Sequence, residues 1–192
     1  MEERLDLGIS EEGARELFQE YVKAGNLAKH CLATEAIMKA LARRSGEDEV
    51  LWGIVGLLHD LDFEETKDDP ASHTLKSAQI LREKGIHPLI IQAIKSHNAE
   101  ALGMERVRPI DFALSAAENI TGLIVAAALV QPEKRLASVK ASSVIKRMKE
   151  KAFAKNVRRE AILECERIGL SLDEFVEVSL GAMQEIHEAL GL

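Results

Sequence analysis

Aromatic residues are scarce in this 192-residue chain, which carries five Phe, one Tyr and one Trp. Seven rings leave little material for base-stacking platforms, which argues against a single-stranded nucleic-acid coat. Cysteine is scarcer still. Cys31 and Cys165, with no Cys-x-x-Cys pair, support neither a disulfide framework nor a zinc knuckle, and each falls in a helix-like segment where it reads as a small buried hydrophobe. The chain has no Gly-rich P-loop, so triphosphate handling by that device is excluded. No alternating run of β-branched residues competes with helix. The longest apolar run, residues 120–130, falls short of the roughly 20 residues a bilayer span needs, and Met1-Glu2-Glu3-Arg4 leads into no hydrophobic leader. The expectation is a cytoplasmic protein without a membrane partner. Positive charge is in deficit too: 25 basic against 32 acidic residues give −7, which argues against polyanion binding across the whole surface.

What is present is a profile of 46% hydrophobic and 30% charged residues, that of an ordinary globular protein able to bury a core without staples. The chain reads as helix after helix. Ser10 followed by Glu11 and Glu12 suits an N-cap, and the helix it starts should stop near Gly25. Asn26 can cap a second helix, whose apolar stripe through Leu27, Ile37 and Leu41 ends at Ser45-Gly46. A third runs over 47–59. Residues 62–72 are rich in charge, contain Pro70 and read as a loop, with the next helix from about Ser72 to Gly85. His87-Pro88 opens a short helix with Ile90, Ile94 and His97 inward, and 98–107 shows no clean period. Pro109 fits the first turn of a long helix through Val130. Three more are expected at 139–151, 157–168 and 171–190, the last opened by a Ser171-x-x-Glu174 capping box. The architecture is therefore all-α and one domain over 1–192, with a core of about 26–130 and a C-terminal helical extension of about 138–192.

Chemistry lies where these apolar stripes are interrupted. His30 stands three and seven residues from Leu27 and Ile37, and His97 seven and three from Ile90 and Ile94, so both should point inward. A lone histidine at such a position is usually a hydrogen-bonded core residue. His59-Asp60, however, follows the nearly continuous apolar stretch 51–58, which puts two polar groups at the end of the most buried helix. Glu118 is mid-helix among Leu114, Ala117, Thr121 and Leu123, with Asp111 two turns earlier on nearly the same face. The two acids are about 10.5 Å apart along the axis, so one ion cannot easily take both. Asp111 is explained by its place in a first helical turn, and Glu118 is not, so Glu118 is the favoured acid. Burying several ionisable groups costs several kcal/mol each unless they are paired or metal-bound. Four helices each offering His or carboxylate inward are better explained by a shared cation than by separate accidents. Mixed imidazole and carboxylate ligation suits Mn²⁺, Fe²⁺, Co²⁺, Ni²⁺ or Zn²⁺ over an all-oxygen Ca²⁺ site.

The ordered set His30, His59-Asp60 and a distal acid in a later helix resembles the HD superfamily of metal-dependent phosphohydrolases. Lys29-His30-Cys31-Leu32, Gly56-Leu57-Leu58-His59-Asp60-Leu61-Asp62, His73-Thr74 and Lys95-Ser96-His97-Asn98 are similar to stretches of small stand-alone HDIG-domain proteins. Two departures stand out: His-Asp-Ile-Gly reads His59-Asp60-Leu61-Asp62 here, and the distal Asp is replaced by Glu118. The resemblance implies a metal held by His30, His59, Asp60 and Glu118, with His73 and His97 where a second ion would be completed and Asp60 bridging. It implies hydrolysis of a phosphoester in a small phosphorylated metabolite of nucleotide type by metal-activated water. Asp60 is then catalytic as well as a ligand, and Lys67 and Lys95 are candidates, with Lys29, to stabilise charge on the reacting group. His73 has an equally plain reading as a residue of a first helical turn, and His87 and His187 read as solvent-facing. Asp62 and Glu64 fit either solvation or the site.

Residues 139–160 hold eight basic residues against two acidic, a local +6 in a chain of −7. Such a run is more often a solvated face than a site, although it concentrates anions. Two alternatives to the hydrolase therefore stand: a catalytically silent metal- or nucleotide-binding regulatory HD module, and, resting on 139–160 alone, an RNA-binding helical protein. The residues leave self-association into a homo-oligomer open.

Overall fold

The computed structural model describes residues 5–192, and the leader expectation drawn from Met1, Glu2, Glu3 and Arg4 lies largely outside them. Among the described residues the fold is helical throughout, without strands. Helix α1 spans Glu11–Tyr21, its first turn closed by the Ser10 hydroxyl accepting from the Gly13 amide. Helix α2 spans Gly25–Ser45 and ends on Gly46 in the left-handed conformation at φ 73°, the C-terminal device that glycine permits without a Cβ penalty. Asp48 caps α3 (Glu49–Leu58), accepting from the amides of Val50 and Leu51.

The start of α2 differs from expectation. Asn26 lies inside the helix, and Ala24 at the N-cap has no side chain to offer. The capping acceptor comes instead from Glu64, whose Oε1 takes the amide protons of Lys23 at 2.7 Å and Ala24 at 2.8 Å. Glu64 belongs to a short helix α4 (Phe63–Thr66) inside the segment expected to be a loop. The segment after His59-Asp60 is thereby pinned to the start of the helix that carries His30.

Helix α5 spans Leu75–Glu83 and α6 spans Pro88–His97, with His87 as N-cap of α6, its Nδ1 accepting from the Leu89 amide. This half-buried capping role replaces the solvent-facing one expected for His87, whereas His187 is exposed as expected. A short α7 (Ala99–Leu102) precedes α8 (Pro109–Leu129). At the α8 N-terminus the Asp111 carboxylate accepts from the Arg108 backbone amide and guanidinium. By length and composition α8 could cross a membrane, yet 67% of its apolar window is buried within the bundle, as befits a core helix.

The C-terminal part departs from expectation in detail. Helix α9 is confined to Ala141–Met148, α10 to Arg159–Ile162 with a 3₁₀ stretch Leu163–Ile168 after it, and the last helix is broken at Ile186 into α11 (Leu172–Glu185) and α12 (His187–Leu190). The Ser171–Glu174 capping box is present.

Helices α2, α3 and α8 pack on one another, α6 packs on α3 and α8, and α9, α10 and α11 pack onto α8. Ile37, Met38, Leu41, Leu57, Leu58, Ile90, Ile94, Leu114, Ile120, Leu123 and Phe175 are fully buried between them, and each such side chain contributes roughly 1.5–3 kcal/mol by leaving water. At Gly56 the backbones of α2 and α3 approach closely: a Cβ there would lie 2.9 Å from the Glu35 Cα. Glycine lets α2 and α3 come close enough for their polar ends to meet.

Candidate metal centre

The apolar face of α3 drives its C-terminal end into the core, and His59 and Asp60 follow with 0% and 6% exposure. His30 arrives from α2, His97 from the end of α6, and His73 from the turn before α5. These five side chains converge. His30 Nε2 is 3.1 Å from His59 Nε2, and His73 Nε2 is 3.0 Å from His97 Nε2. Asp60 lies between the pairs, with Oδ2 3.5 Å from His59 Nε2 and 3.7 Å from His30 Nε2. Its Oδ1 is 3.3 Å from His73 Nε2 and 3.5 Å from His97 Nε2.

The opposite ring nitrogens settle the tautomers. His59 Nδ1 sits 2.8 Å from the Gly56 carbonyl and His97 Nδ1 2.9 Å from the Ile94 carbonyl, and carbonyls only accept. His73 Nδ1 is 2.8 Å from Asp62 Oδ1. His30 Nδ1 is 2.9 Å from the Thr121 hydroxyl, which spends its own proton on the Glu118 carbonyl at 2.7 Å and so accepts from the imidazole. With Nδ1 as the donor in each of these contacts, Nε2 of all four rings faces the centre and, in the tautomer that these partners favour, carries the lone pair. Two lone pairs facing each other at 3 Å repel unless a cation lies between them. Nitrogens bound at about 2.0–2.1 Å to one ion stand roughly 3 Å apart, so each pair is spaced as ligands of a shared metal would be. With Asp60 the residues form two three-ligand groups, His30–His59–Asp60 and Asp60–His73–His97, and each could hold a metal ion.

Electrostatics agree. Burial presses the His59 pKa down to about 3 despite the Asp60 charge beside it, which keeps the ring neutral and ligating. Burial lowers the His73 pKa, but hydrogen bonds to Asp60 and Asp62 and their charges outweigh it and lift the value to about 9. Burial likewise works against ionisation of Asp60, yet the surrounding imidazoles hold its carboxyl well below the usual range. Without metal, a proton on His73 fills the place between His73 and His97.

The positioning of His73 is tightly determined. Asp62 also accepts from the Ser77 amide at 2.9 Å, and Asn98 donates to the carbonyls of Pro70 and His73. Thr74 follows at φ 70°, with its buried hydroxyl lacking a partner among the described residues. A β-branched residue in that region costs on the order of 1–3 kcal/mol, and such strain collects where function demands a geometry.

Other expected site residues fall elsewhere. The Glu118 carboxylate joins neither ligand group; it is half-buried and accepts from Asn119 Nδ2. Burial raises its pKa, against the pull of His97 and His30, so it feels the centre. Its contribution to His30 runs through its carbonyl and Thr121. Asp111 is taken up by the α8 cap, accepting from the amides of Val107 and Arg108 and from the Arg108 guanidinium at 2.6 Å. Lys67 and Lys29 are exposed and Lys95 is half-buried. Cys31 is buried, and desolvation together with the Asp60 charge raises its pKa well above the ordinary value, so it stays a thiol. Within 139–160, Arg159 is spent on the carbonyls of Ala154, Val157, Glu150 and Phe153, Arg147 on Glu150 and Arg158 on Glu100. Thr121, Asp62 and Asn98 were not singled out as ligand supports from sequence.

An all-α bundle whose buried His/Asp cluster could hold divalent metal is the class that fold and site define. The HD domain family model matches residues 27–131, more than half of the chain, and the chain belongs to that family. Membership places it in a superfamily of metal-dependent phosphohydrolases. Among curated proteins it is similar to ribonuclease Y of Sulfurovum sp. (strain NBC37-1), 28% identical over 85% of this chain and 32% of the relative. It is also similar to ribonuclease Y of Campylobacter fetus subsp. fetus, 28% identical over 86% and 32%, and of Campylobacter curvus, 29% over 85% and 32%. The chain thus spans about a third of the length of these curated relatives. No solved structure matches it.

Proposed function

We propose that the chain is a metal-dependent phosphohydrolase acting on a phosphoester of nucleotide type. The observation that carries this reading is Asp60, one carboxylate whose two oxygens each face a pair of imidazole lone pairs. His30, His59 and Asp60 would hold one ion and Asp60, His73 and His97 a second. When bound, such metal neutralises phosphoryl oxygens and lowers the pKa of water from about 15.7 toward roughly 7. The chain's own part is to fix the ligands: the carbonyls of Gly56 and Ile94, the Asp62 carboxylate and the Thr121 hydroxyl hold the four rings with Nε2 inward. Such outer partners tune affinity and activity nearly as strongly as ligands do. The ribonuclease Y relatives are named for cleaving RNA, a phosphodiester, which favours diester over monoester chemistry here.

The test is a screen of stripped protein reloaded with Mn²⁺, Co²⁺, Ni²⁺, Zn²⁺ or Mg²⁺ against mono-, di- and cyclic nucleotides and bis(p-nitrophenyl) phosphate. Hydrolysis that disappears in a His59→Ala, Asp60→Ala double variant, along with the metal found by elemental analysis, supports the reading. Metal content unchanged in that variant refutes it. Nucleotide binding without turnover by any loaded form selects the silent regulatory module, a reading favoured by the Glu118 carboxylate standing outside both ligand groups.

A further inference from the structure

The basic run at 139–160 divides by residue type once the chain is folded. Its arginines are spent within the protein: Arg147 pairs with Glu150 and has its guanidinium carbon 4.4 Å from the Phe153 ring centroid, Arg158 pairs with Glu100, and Arg159 donates to the carbonyls of Glu150, Phe153, Ala154 and Val157. Its lysines are not. Lys140, Lys146, Lys149, Lys151 and Lys155 are all exposed, and none of their ammonium groups has an ion-pair or hydrogen-bond partner among the described residues. The loop after α9 has a definite shape, gathered round the Arg159 guanidinium with Ala154 at φ 45°, a left-handed conformation that a residue with a Cβ seldom takes. It is also anchored beside the metal centre. The Arg158 amide donates to Asn119 Oδ1 at 3.3 Å, and Val157 Cγ2 would lie 3.2 Å from a Cβ on Gly122. Thr121, which orients His30, stands between those two positions on α8.

We propose that these five lysines form a docking surface for the phosphodiester backbone of a nucleic-acid strand, which they hold while one of its diesters reaches the metal centre. This rests on the phosphohydrolase reading and names its substrate class as a polymer rather than a free nucleotide. Lysine is a compact point charge suited to phosphate oxygens, and five of them over 140–155 exceed what one small phosphate ester can use. A bilayer is a poorer match, because none of the large exposed hydrophobic side chains lies between 131 and 160, so nothing there can enter the acyl region. Phe153 is half-buried against Arg147, which leaves no ring for base stacking, so the strand is held by charge and without sequence preference. The run carries +6 in a chain of −7, so the remainder carries −13 and turns a polyanion toward this face.

The test is fluorescence anisotropy of labelled oligo(U) and oligo(dT) with the metal-free chain, so that no strand is cut. Five phosphate contacts on a single strand give a slope of log affinity against log salt of about −3.5, or roughly a hundredfold weakening between 50 and 200 mM NaCl. Two double variants reverse charge at different places: Lys146→Glu with Lys149→Glu, on the α9 face opposite buried Val144, and Lys151→Glu with Lys155→Glu, in the loop. Each should weaken binding at least about tenfold and bring the slope to about −2, whereas Lys23→Glu with Lys84→Glu, of equal net charge and exposed elsewhere, should cost less than about threefold. Either segment variant keeps the test available if the other fails to fold. Binding of RNA, DNA or both within these limits supports the proposal and names the strand. A slope shallower than about −1, segment variants no weaker than the control pair, or phosphatidylserine vesicles bound as tightly as either strand would overturn it. Failure of the hydrolase reading is seen separately: lysine-dependent strand binding with no diester cut by any metal-loaded form leaves the surface standing and removes the reaction, and dinucleotide hydrolysis without strand binding does the reverse.

Discussion

Replacing Gly56 by Ala tests whether the helix contact at this glycine sets the metal centre. A Cβ at Gly56 would lie 2.9 Å from Glu35 Cα, 3.0 Å from Glu35 N and 3.0 Å from Met38 Cγ, so two of its three closest neighbours are backbone that cannot swing aside. Overpacking of this kind costs about 1–3 kcal/mol, with the upper part of the range expected against backbone. Helix propensity works the other way, since Ala is favoured over Gly by about 1 kcal/mol in a helix interior. The net loss is then about 1–2 kcal/mol, or roughly 2–8 °C in Tm for a chain of this size. Gly53, in the same helix one turn earlier, is the control. Its added Cβ would meet only the Lys39 side chain, which can move at the expense of its ion pairs with Glu11 and Glu35. Such pairs are worth about 0–1 kcal/mol, so Gly53→Ala should be close to neutral. The two variants also differ at the metal. Moving α2 off α3 widens the 3.1 Å gap between His30 and His59 Nε2, and loss of such support costs about tenfold in affinity. Thermal melting of metal-free protein and Mn²⁺ titration read both effects. Gly56→Ala melting at or above Gly53→Ala, with equal Mn²⁺ affinity, would refute the reasoning.

Asp62→Asn should weaken the ion at His73 and His97 by about 10–100-fold and leave the His30–His59 ion in place, so elemental analysis after dialysis should fall from two ions toward one; an unchanged ratio would show that Asp62 does not hold His73 for a metal. In the metal-free protein, His73 at about 9 and His59 at about 3 depart in opposite directions from an unfolded value of about 6.5. The His73 contribution is complete below about pH 6.5 and lost as pH rises through 9, while the His59 contribution is complete above about pH 6.5 and lost as pH falls toward 3. The urea midpoint should therefore peak near pH 6.5, and a steady rise from pH 6.5 to 9 would contradict the assignment. Asp111→Asn should lower the melting temperature through loss of its charge-assisted cap, worth about 1.5–3 kcal/mol, without altering metal affinity; Glu118→Gln should keep the carbonyl that supports Thr121 and so keep tight metal binding. Loss of tight binding in Glu118→Gln would restore that carboxylate as a ligand.

What the sequence makes legible here is local or periodic. Ser10, Pro109 and the Ser171–Glu174 box mark helix starts because their partners lie within three residues, and His30 and His97 stand out because each breaks an apolar stripe of period 3.6. His59-Asp60 is legible for a related reason: an apolar run carries its polar end wherever the run is buried. The unexpected parts depend on contacts across the chain. Glu64 caps α2 from 40 residues away, and no nearby pattern announces an acceptor arriving from another helix. Asp62 reaches His73 across α4 and the turns that follow it, a separation of 11 residues with no local pattern to announce it, and Thr74, just after His73, takes φ 70°, a conformation that a threonine gives no reason to expect. Glu118 shows the limit most sharply. Periodicity puts it on a face of α8 that is half-buried in the structure, and the lack of an expected local partner makes its carboxylate read as a ligand. The chain uses the other end of the residue: the Glu118 carbonyl takes the Thr121 proton, Thr121 then accepts from His30 Nδ1, and the His30 lone pair is left on the side facing His59. Side-chain patterns identify which residues enter a buried site, but the backbone acceptors that orient them have no letter in the sequence. The same holds at His59 and His97, each oriented by a carbonyl three residues before it.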